Sequence, residues 1–225
     1  LIALNINNKN EQRIKAEKLD SIYIEVQREL ALNINRISFL IDFYEKKDSI
    51  NYLILNDKLT KEDYIETQEI AFSLFINIPL NIQNNGYSSL INALDILPKS
   101  FSTVLKKLNI VYDDNYFYIA NNQERFNQFN WDLLKKLSDS KNWYMEFINK
   151  NNLNDEILEY LVNDPFYKNK VLDYKIHYSN LYLPRFKKNA VKAYVALSEL
   201  IDKKDDIDTA IYFQTDEELS KYVGE

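Results

Sequence analysis

Glycine is nearly absent from this chain of 225 residues, which has only Gly86 and Gly224. Tight hairpin turns and phosphate-binding loops usually need glycine, because they require positive φ angles or a close approach of the backbone to a ligand. A β-sandwich, a dinucleotide-binding fold and a P-loop enzyme are therefore disfavoured. Asparagine, which is abundant here, can replace glycine at left-handed positions, so the scarcity of glycine disfavours these folds without excluding them.

Cysteine is missing altogether, and His177 is the only histidine. The chain therefore has no disulfide, no thiolate nucleophile and no cysteine-based metal site. Its net charge of −6 disfavours the concentrated basic face of a nucleic-acid-binding protein, so no nucleic-acid partner is expected. Apolar residues make up 46% of the chain and include 17 tyrosines, which is enough for a buried core.

The residues from about Asn8 to Lys47 contain no proline or glycine and predict one long helix. At the α-helical rise, about 40 residues extend roughly 60 Å, so we expect the first turns to stand clear of the bundle. One helix face carries apolar residues at steps of three and four, with Asn33 as a polar exception. These residues are Ile22, Val26, Leu30, Ile37, Ile41 and Tyr44.

Capping residues and prolines divide the rest of the chain into further predicted helices. Thr60 is expected to cap a helix that ends at Pro79, and a loop from Asn81 closes at Gly86. The next helices are predicted from Tyr87 to about Asp95, from about Ser100 to Val111, and from Tyr116 to about Lys150, with a polar break at Asp113-Asp114.

Two clear start signals follow in the C-terminal part. Asn154 should cap a short helix through Leu161, and Asp164-Pro165 should start a long segment that reaches about Lys203. Pro184 predicts a kink or break within that segment. The predicted fold is all-α: an elongated helical bundle with a very long N-terminal helix and a kinked C-terminal helical pair.

The charged residues do not form a recognisable catalytic or metal-binding motif. His177 could serve as a general base, but no catalytic motif flanks it, and a structural or surface role is favoured. The acidic clusters lack the spacing and central glycine of a calcium loop, so a solvated role is favoured. These clusters are Asp113-Asp114, Glu217-Glu218 and Asp205-Asp206-Ile207-Asp208.

Aromatic residues at Tyr112, Tyr116, Phe117 and Tyr118, with Tyr87 and with Trp131 or Trp143 nearby, could line a ligand pocket between helices. Aromatic residues at helical spacing more often form core, and we favour that interpretation. No catalytic, cofactor-binding or metal-ligating residue is assigned, and no cofactor is predicted.

The run from Leu1 to Glu11, Leu-Ile-Ala-Leu-Asn-Ile-Asn-Asn-Lys-Asn-Glu, resembles the membrane exit in a bacterial family known as domain of unknown function 6090. Two later stretches are similar to the same family: Ser89 to Asn92 with Asp95 to Pro98, and Asp164 to Asn169. The resemblance covers residues 1 to about 203. It departs from the family at Ala93-Leu94, where a Ser-Gly pair is usual.

The resemblance implies topology and fold but no chemistry. Residues 1–7 would be the remnant of the end of a transmembrane helix, residues 8–204 a helical bundle domain, and residues 205–225 an acidic linker and the start of a following domain. The tail from Leu219 to Glu225 is similar to the first strand of small appended β-barrel domains.

The family's basic N-terminus implies a single-pass protein of the bacterial inner membrane whose helical domain is periplasmic. The lysines and Arg13 just after the stub, at positions 9, 13, 15 and 18, argue weakly for the opposite orientation. We therefore expect a membrane-tethered, non-enzymatic sensory, scaffolding or partner-binding module with a protein partner. The alternatives are a small-molecule or metal-binding module serving another domain, and an enzyme that uses His177 with Asp, Glu or Tyr.

Overall fold

A computed structural model describes residues 2–150, 153–178 and 182–201, with side chains for 9–149, 153–177 and 182–201. All the regular secondary structure in these ranges is helical, which confirms the all-α prediction. The α-helices are α1 (Ile2–Leu55), α2 (Lys61–Glu66), α3 (Gln68–Phe72), α4 (Asn85–Ile91), α5 (Ser102–Asn109), α6 (Tyr116–Ser140), α7 (Tyr144–Lys150), α8 (Asp155–Asn163), α9 (Pro165–Tyr178) and α10 (Leu183–Leu200).

Shorter helical turns join some of these elements. Two 3₁₀ turns, Leu94–Ile96 and Lys99–Phe101, lie between α4 and α5, and a π-helical turn, Ile110–Asn115, joins α5 to α6. The predicted break at Asp113-Asp114 is therefore wrong. The two aspartates are exposed, whereas neighbouring side chains such as Val111 and Asn115 are buried, so the helical path keeps one face in the core.

Helix α1 is longer than predicted, because it continues past Lys47 to Leu55. Asp57, just beyond its end, has a φ of 54°, a left-handed conformation that glycine usually supplies. At the other end, residues 9–21 are exposed except for the half-buried Leu19, and Ile22 is the first buried side chain among those described. The expectation that the first turns stand clear of a core is confirmed for this stretch.

The predicted helix starts are confirmed by their cap hydrogen bonds. The Thr60 hydroxyl accepts from the Asp63 amide, and the Asp63 carboxylate accepts from the Thr60 amide at 2.7 Å, which completes a capping box. Asn154 Oδ1 accepts from the Ile157 amide at 3.0 Å. Asp164 Oδ1 accepts from the Phe166 amide at 2.8 Å at the start of α9.

The helix after Thr60 does not continue to Pro79 as predicted. Thr67 leaves the helical conformation, with φ −128° and ψ 77°, so α2 ends at Glu66 and α3 at Phe72. The prediction for Pro184 is confirmed, since α9 ends at Tyr178 and the proline lies in the first turn of α10. There its missing N–H leaves no helical hydrogen bond unmade.

The chain divides into two compact units. Within the described residues, unit 1 comprises 2–39, 80–119 and 182–201, and unit 2 comprises 40–79, 120–150 and 153–178. In unit 1, α10 packs against α5 and the π-helical turn. Its fully buried side chains include Val26, Leu30, Leu90, Leu108, Val111, Phe186, Ala190, Val191 and Leu197.

Unit 1 also depends on a close approach at Gly86. A Cβ atom added there would lie 3.0 Å from the Val26 backbone nitrogen and 3.1 Å from the Glu25 carbonyl carbon. The start of α4 therefore rests against the backbone of α1 at a distance that leaves no room for a side chain. Helix α4 begins at Asn85, two residues earlier than predicted, and Gly86 is buried in its first turn.

Unit 2 has an aromatic core built from α1, α2, α3, α6, α7, α8 and α9. Phe147 stacks on Phe72 with ring centroids 4.6 Å apart and meets Trp143 edge-on at 5.9 Å. Its core includes Ile54, Tyr64, Leu74, Phe126, Leu133, Leu137, Ile157, Leu161, Tyr167, Val171 and Tyr174.

No helix in the described ranges is both long and apolar enough to cross a bilayer. The predicted membrane remnant at residues 1–7 falls on the first turns of α1, whose side chains are outside the description. The predictions for residues 205–225, including the clusters Glu217-Glu218 and Asp205 to Asp208, also lie outside the described residues.

Candidate functional site

The aromatic run singled out in the sequence is divided between core and surface. The rings of Tyr87 and Tyr112 stack in the interior of unit 1 with centroids 4.6 Å apart. Phe117 is 60% exposed, and Tyr118 stacks on Tyr182 with centroids 5.4 Å apart. The core interpretation holds for Tyr87 and Tyr112, whereas Phe117 and Tyr118 are largely exposed.

Trp131 and Trp143 both belong to unit 2, so neither is part of the aromatic group of unit 1. Trp131 is 70% exposed on α6, whereas Trp143 is buried in the core of unit 2. His177 is exposed near the C-terminal end of α9. In the described part of the chain, His, Asp and Glu side chains do not gather in threes as a metal ion would require.

Unit 1 contains a buried carboxylate, Glu29, which is 4% exposed. Its oxygens accept hydrogen bonds from the backbone amides of Gly86, at 2.8 Å, and Tyr87, at 3.3 Å. These amides belong to the first turn of α4, where the helix dipole favours a negative charge. The Tyr112 hydroxyl also bonds to Glu29, and burial together with this negative charge raises the pKa of Tyr112 above its usual value.

Asn33, the polar exception on the apolar face of α1, is buried, and both polar atoms of its side chain form hydrogen bonds. Its Nδ2 donates to the Gln83 carbonyl at 2.8 Å, and its Oδ1 accepts from the Gln83 amide at 2.9 Å. The Tyr87 hydroxyl donates to Asp113 at 2.7 Å, so one member of the acidic pair has a structural role. We interpret these hydrogen bonds as a network that fixes the positions of α1, α4 and the chain before α4 relative to one another.

Unit 2 buries a lysine, Lys47, which is 3% exposed. Its Nζ donates to the Ile76 carbonyl at 2.8 Å and lies 4.2 Å and 4.8 Å from the ring centroids of Tyr174 and Phe126. Burial lowers the pKa of Lys47 to about 7, and the neighbouring Asp48 carboxylate opposes this shift.

A lysine with such a pKa has the chemistry of a general base or a Schiff-base nucleophile. Both roles require that a substrate reach the amine. Lys47 is enclosed by two rings and a backbone carbonyl, and almost none of its surface is exposed. Lys47 is therefore a core residue, and the burial of its ammonium group reduces the stability of the folded chain.

Unit 2 contains an open cleft of about 740 Å³, lined by residues of α2, α6, α8 and the turns beside them. Its lining includes the aromatic residues Trp143 and Tyr160. The charged residues that line it are Lys61, Lys141, Asp155, Glu156, Glu159 and Asp164. With four carboxylates and two ammonium groups, the cleft has an acidic excess.

The two lysines of this cleft are held in different ways. Lys61 forms a salt bridge of 2.9 Å with Glu159. The Lys141 ammonium lies 3.5 Å from Asp164 Oδ2, 4.7 Å from the centroid of the Tyr160 ring and 5.9 Å from that of Trp143. Lys141 therefore sits in a cation-binding arrangement of two aromatic faces and one carboxylate.

Tyr160 is buried, and its hydroxyl has no hydrogen-bond partner among the described residues. Burial, and to a smaller extent the charge of Asp164, raise the pKa of Tyr160 above its usual value. The hydroxyl is therefore neutral at physiological pH and lies buried below the surface, while another part of the same side chain lines the cleft.

Sequence analysis missed Glu29, Lys47 and the cleft. The signal for Lys47 was present: Leu40, Tyr44, Lys47, Asn51 and Ile54 follow one another at steps of four and three. This pattern continues the buried face of α1. It was overlooked because the helix was predicted to end at Lys47. Lys61 and Glu159 are 98 positions apart in the numbering, so no local pattern could have shown the cleft.

Comparisons of this chain with models of known protein families, with curated proteins and with solved structures give no match.

Proposed function

We propose that this chain is a non-enzymatic, partner-binding domain held at a bacterial inner membrane by a helix that precedes residue 1, with the domain in the periplasm. The observation that carries the proposal is the exposed stretch of α1 at residues 9–21. These residues precede Ile22, the first buried side chain among those described, and are exposed apart from the half-buried Leu19. At the helical rise this stretch extends about 20 Å, a suitable spacer between a bilayer and a folded core.

The composition of this spacer also supports the proposal. The spacer is exposed apart from the half-buried Leu19, and even its Ile14 faces solvent, so burial does little to stabilise it as a helix. Here the spacer continues into the buried part of α1 and carries an exposed ion pair between Arg13 and Glu17. Residues 1 to 11 resemble a membrane exit, and this resemblance supports a membrane tether at the N-terminal end of the spacer.

The binding role is supported by large apolar side chains on the surface. Phe39 and Phe117 of unit 1 are more than half exposed, and so are Trp131 and Met145 of unit 2. Burying such a side chain in an interface is worth roughly 1.5–3 kcal/mol, which makes these residues the first candidates for partner contacts.

The tether is tested with the full-length parent protein in cells. It should remain in the membrane fraction after alkaline extraction, whereas a chain of residues 9–201 should not. Residues 1–225 contain no cysteine, so Ser88→Cys at an exposed position of α4 adds one thiol to this domain for a membrane-impermeant maleimide, and the unsubstituted parent is the control for any other thiol. Labelling of intact spheroplasts supports a periplasmic domain, and labelling only after lysis contradicts it.

Partner binding is tested by placing a photo-crosslinking amino acid at Phe39, Phe117 or Trp131 in the parent protein. A discrete adduct at one of these positions, and none at the exposed polar control Lys46, supports the proposal. Equal, weak labelling at all four positions would count against a specific partner.

A second candidate function, a small-molecule-binding module, is favoured by the unit 2 cleft of about 740 Å³. A thermal-shift screen of the chain discriminates between the two, since a ligand that binds only the native state must raise the unfolding temperature.

A further inference from the structure

The aromatic and acidic cleft of unit 2 holds one of its own side chains where a ligand cation would fit. The Lys141 ammonium faces the Tyr160 and Trp143 rings and pairs with Asp164. From this geometry we infer that the cleft is a binding site for an alkylammonium group, and that Lys141 is a resident competitor which the incoming cation displaces.

The first argument is the chemistry of the lining. Two aromatic faces and a carboxylate attract a cation through the ring quadrupoles and a charge-assisted hydrogen bond. The rim adds Asp155, Glu156 and Glu159, so the cleft keeps an acidic excess even with both of its own lysines present. An anionic ligand would meet repulsion here, and a neutral one would gain nothing from the acidic excess.

The second argument is that Lys141 is weakly held. Its side chain is 30% exposed and its partner Asp164 is 28% exposed, and the 3.5 Å separation is at the long end for a charge-assisted hydrogen bond. Asp164 also accepts the Phe166 amide through Oδ1, so α9 keeps its cap if Lys141 leaves Oδ2. Displacing Lys141 therefore does not require the helix to unfold.

Two sources carry the alkylammonium group that this lining suits: free polyamines and the lysine side chain of a partner protein.

This inference specifies the ligand of the binding role proposed above and does not depend on the membrane tether. Fractionation of the parent protein can fail while the cleft binds its ligand, and the reverse also holds. The titration below therefore tests the cleft alone.

The experiment uses the 225-residue chain with Trp131→Phe, which leaves Trp143 as the only tryptophan. Its fluorescence is followed during titration with spermidine and, separately, with a blocked Gly-Lys-Gly peptide. The same peptide with norleucine in place of lysine is the neutral control. We expect saturation by at least one of the two cationic probes and none by the neutral peptide.

Three variants distinguish binding by the two aromatic rings and Asp164 from a general effect of charge in the cleft. Lys141→Ala removes the competitor and should tighten binding about tenfold, since one cation–π and ion-pair site becomes free. Lys61→Ala removes the same charge from the same cleft but frees no aromatic face, so its effect should stay below roughly threefold. Asp164→Asn keeps the helix cap and should weaken binding about tenfold by removing the carboxylate charge.

Circular dichroism confirms folding, and Lys141→Gln replaces Lys141→Ala if the alanine variant is unstable. Saturation by the lysine peptide assigns the site to a partner's lysine, and saturation by spermidine alone assigns it to a free polyamine. The inference is overturned if neither probe saturates any variant at millimolar concentration, or if Lys61→Ala tightens binding as much as Lys141→Ala.

Discussion

Each unit buries a charged side chain from α1, and the two side chains are accommodated differently. In unit 1, the Glu29 carboxylate accepts from two backbone amides of α4 and bonds to the Tyr112 hydroxyl. In unit 2, the Lys47 ammonium has one carbonyl, that of Ile76, and two aromatic rings. Both side chains are less than 5% exposed.

The comparison teaches that the number and direction of the partners decide what a buried charge costs. Amides at a helix start are fixed dipoles that point at the carboxylate, so they replace much of its lost hydration. A single carbonyl and two rings do not replace the hydration of an ammonium group. Burial therefore lowers the pKa of Lys47 to about 7.

The largest expected effect comes from Lys47→Met. The unfolded chain binds the lysine proton below pH 10.5, whereas the folded chain holds it only below about pH 7. The lysine alone therefore makes native stability rise with pH between these values, by about 3 kcal/mol from pH 7 to 9.5, and ionisation of tyrosines in the unfolded chain opposes part of this rise at the upper end. Replacing the lysine should stabilise the protein by roughly 4 kcal/mol at pH 7 and abolish most of this dependence.

Urea denaturation at several pH values, followed by circular dichroism, measures this effect. Lys46→Met, at the adjacent exposed position, is the matched control and should change the free energy of unfolding by less than about 0.5 kcal/mol. If the wild-type protein shows no pH dependence between pH 7 and 9.5, the Lys47 ammonium is solvated or paired in solution, and the contrast between the units disappears.

The second effect is expected for Glu29→Ala in unit 1. The change leaves the Gly86 and Tyr87 amides and the Tyr112 hydroxyl without their acceptor in the interior. It should lower the free energy of unfolding by about 3 kcal/mol. Glu25→Ala removes an exposed carboxylate one turn earlier on the same helix and should be nearly neutral. Similar losses for the two variants would show that Glu29 is not a buried acceptor.

The smallest effect compares one tyrosine from each unit. The Tyr87 hydroxyl donates to Asp113, whereas the buried Tyr167 hydroxyl of unit 2 has no partner among the described residues. Tyr87→Phe should cost about 1 kcal/mol, and Tyr167→Phe should be neutral or stabilising by up to about 1 kcal/mol. Denaturant unfolding should therefore show changes of opposite sign in the free energy of unfolding for the two variants. A loss of stability for Tyr167→Phe would show that its hydroxyl has a partner.

The fold was predictable where local chemistry decides it. Thr60, Asn154 and Asp164 cap their helices as predicted, because a cap bond forms within three residues of the capping side chain. The prediction failed at Pro79 and at Asp113-Asp114. At both places the outcome depends on which face is buried against distant helices, and local propensity is overridden.

The candidate site was predictable only in part. The aromatic residues Tyr87 and Tyr112 were correctly favoured as core, since helical spacing usually indicates burial. The cation site around Lys141 was not found, because Asp164 and Tyr160 reach it from α8 and the start of α9, and no spacing links them to the end of α6. A buried Lys47 was readable from periodicity, but its pKa depends on Phe126 and Tyr174, which come from other helices.

By itself, the sequence determined that this protein is all-α, where several of its helices begin, and that α1 is long and includes turns that stand clear of a core, which the structure shows at residues 9–21. These properties depend on the scarcity of glycine, on capping residues and on apolar residues spaced three or four positions apart. Each of these acts over a few residues of the chain. Only the tertiary structure decided that Glu29 meets the start of α4, that Lys47 lies between two rings, and that Lys141 occupies an aromatic and acidic cleft. Each of these depends on side chains brought together across many positions, and on the low polarity of the space in which they meet.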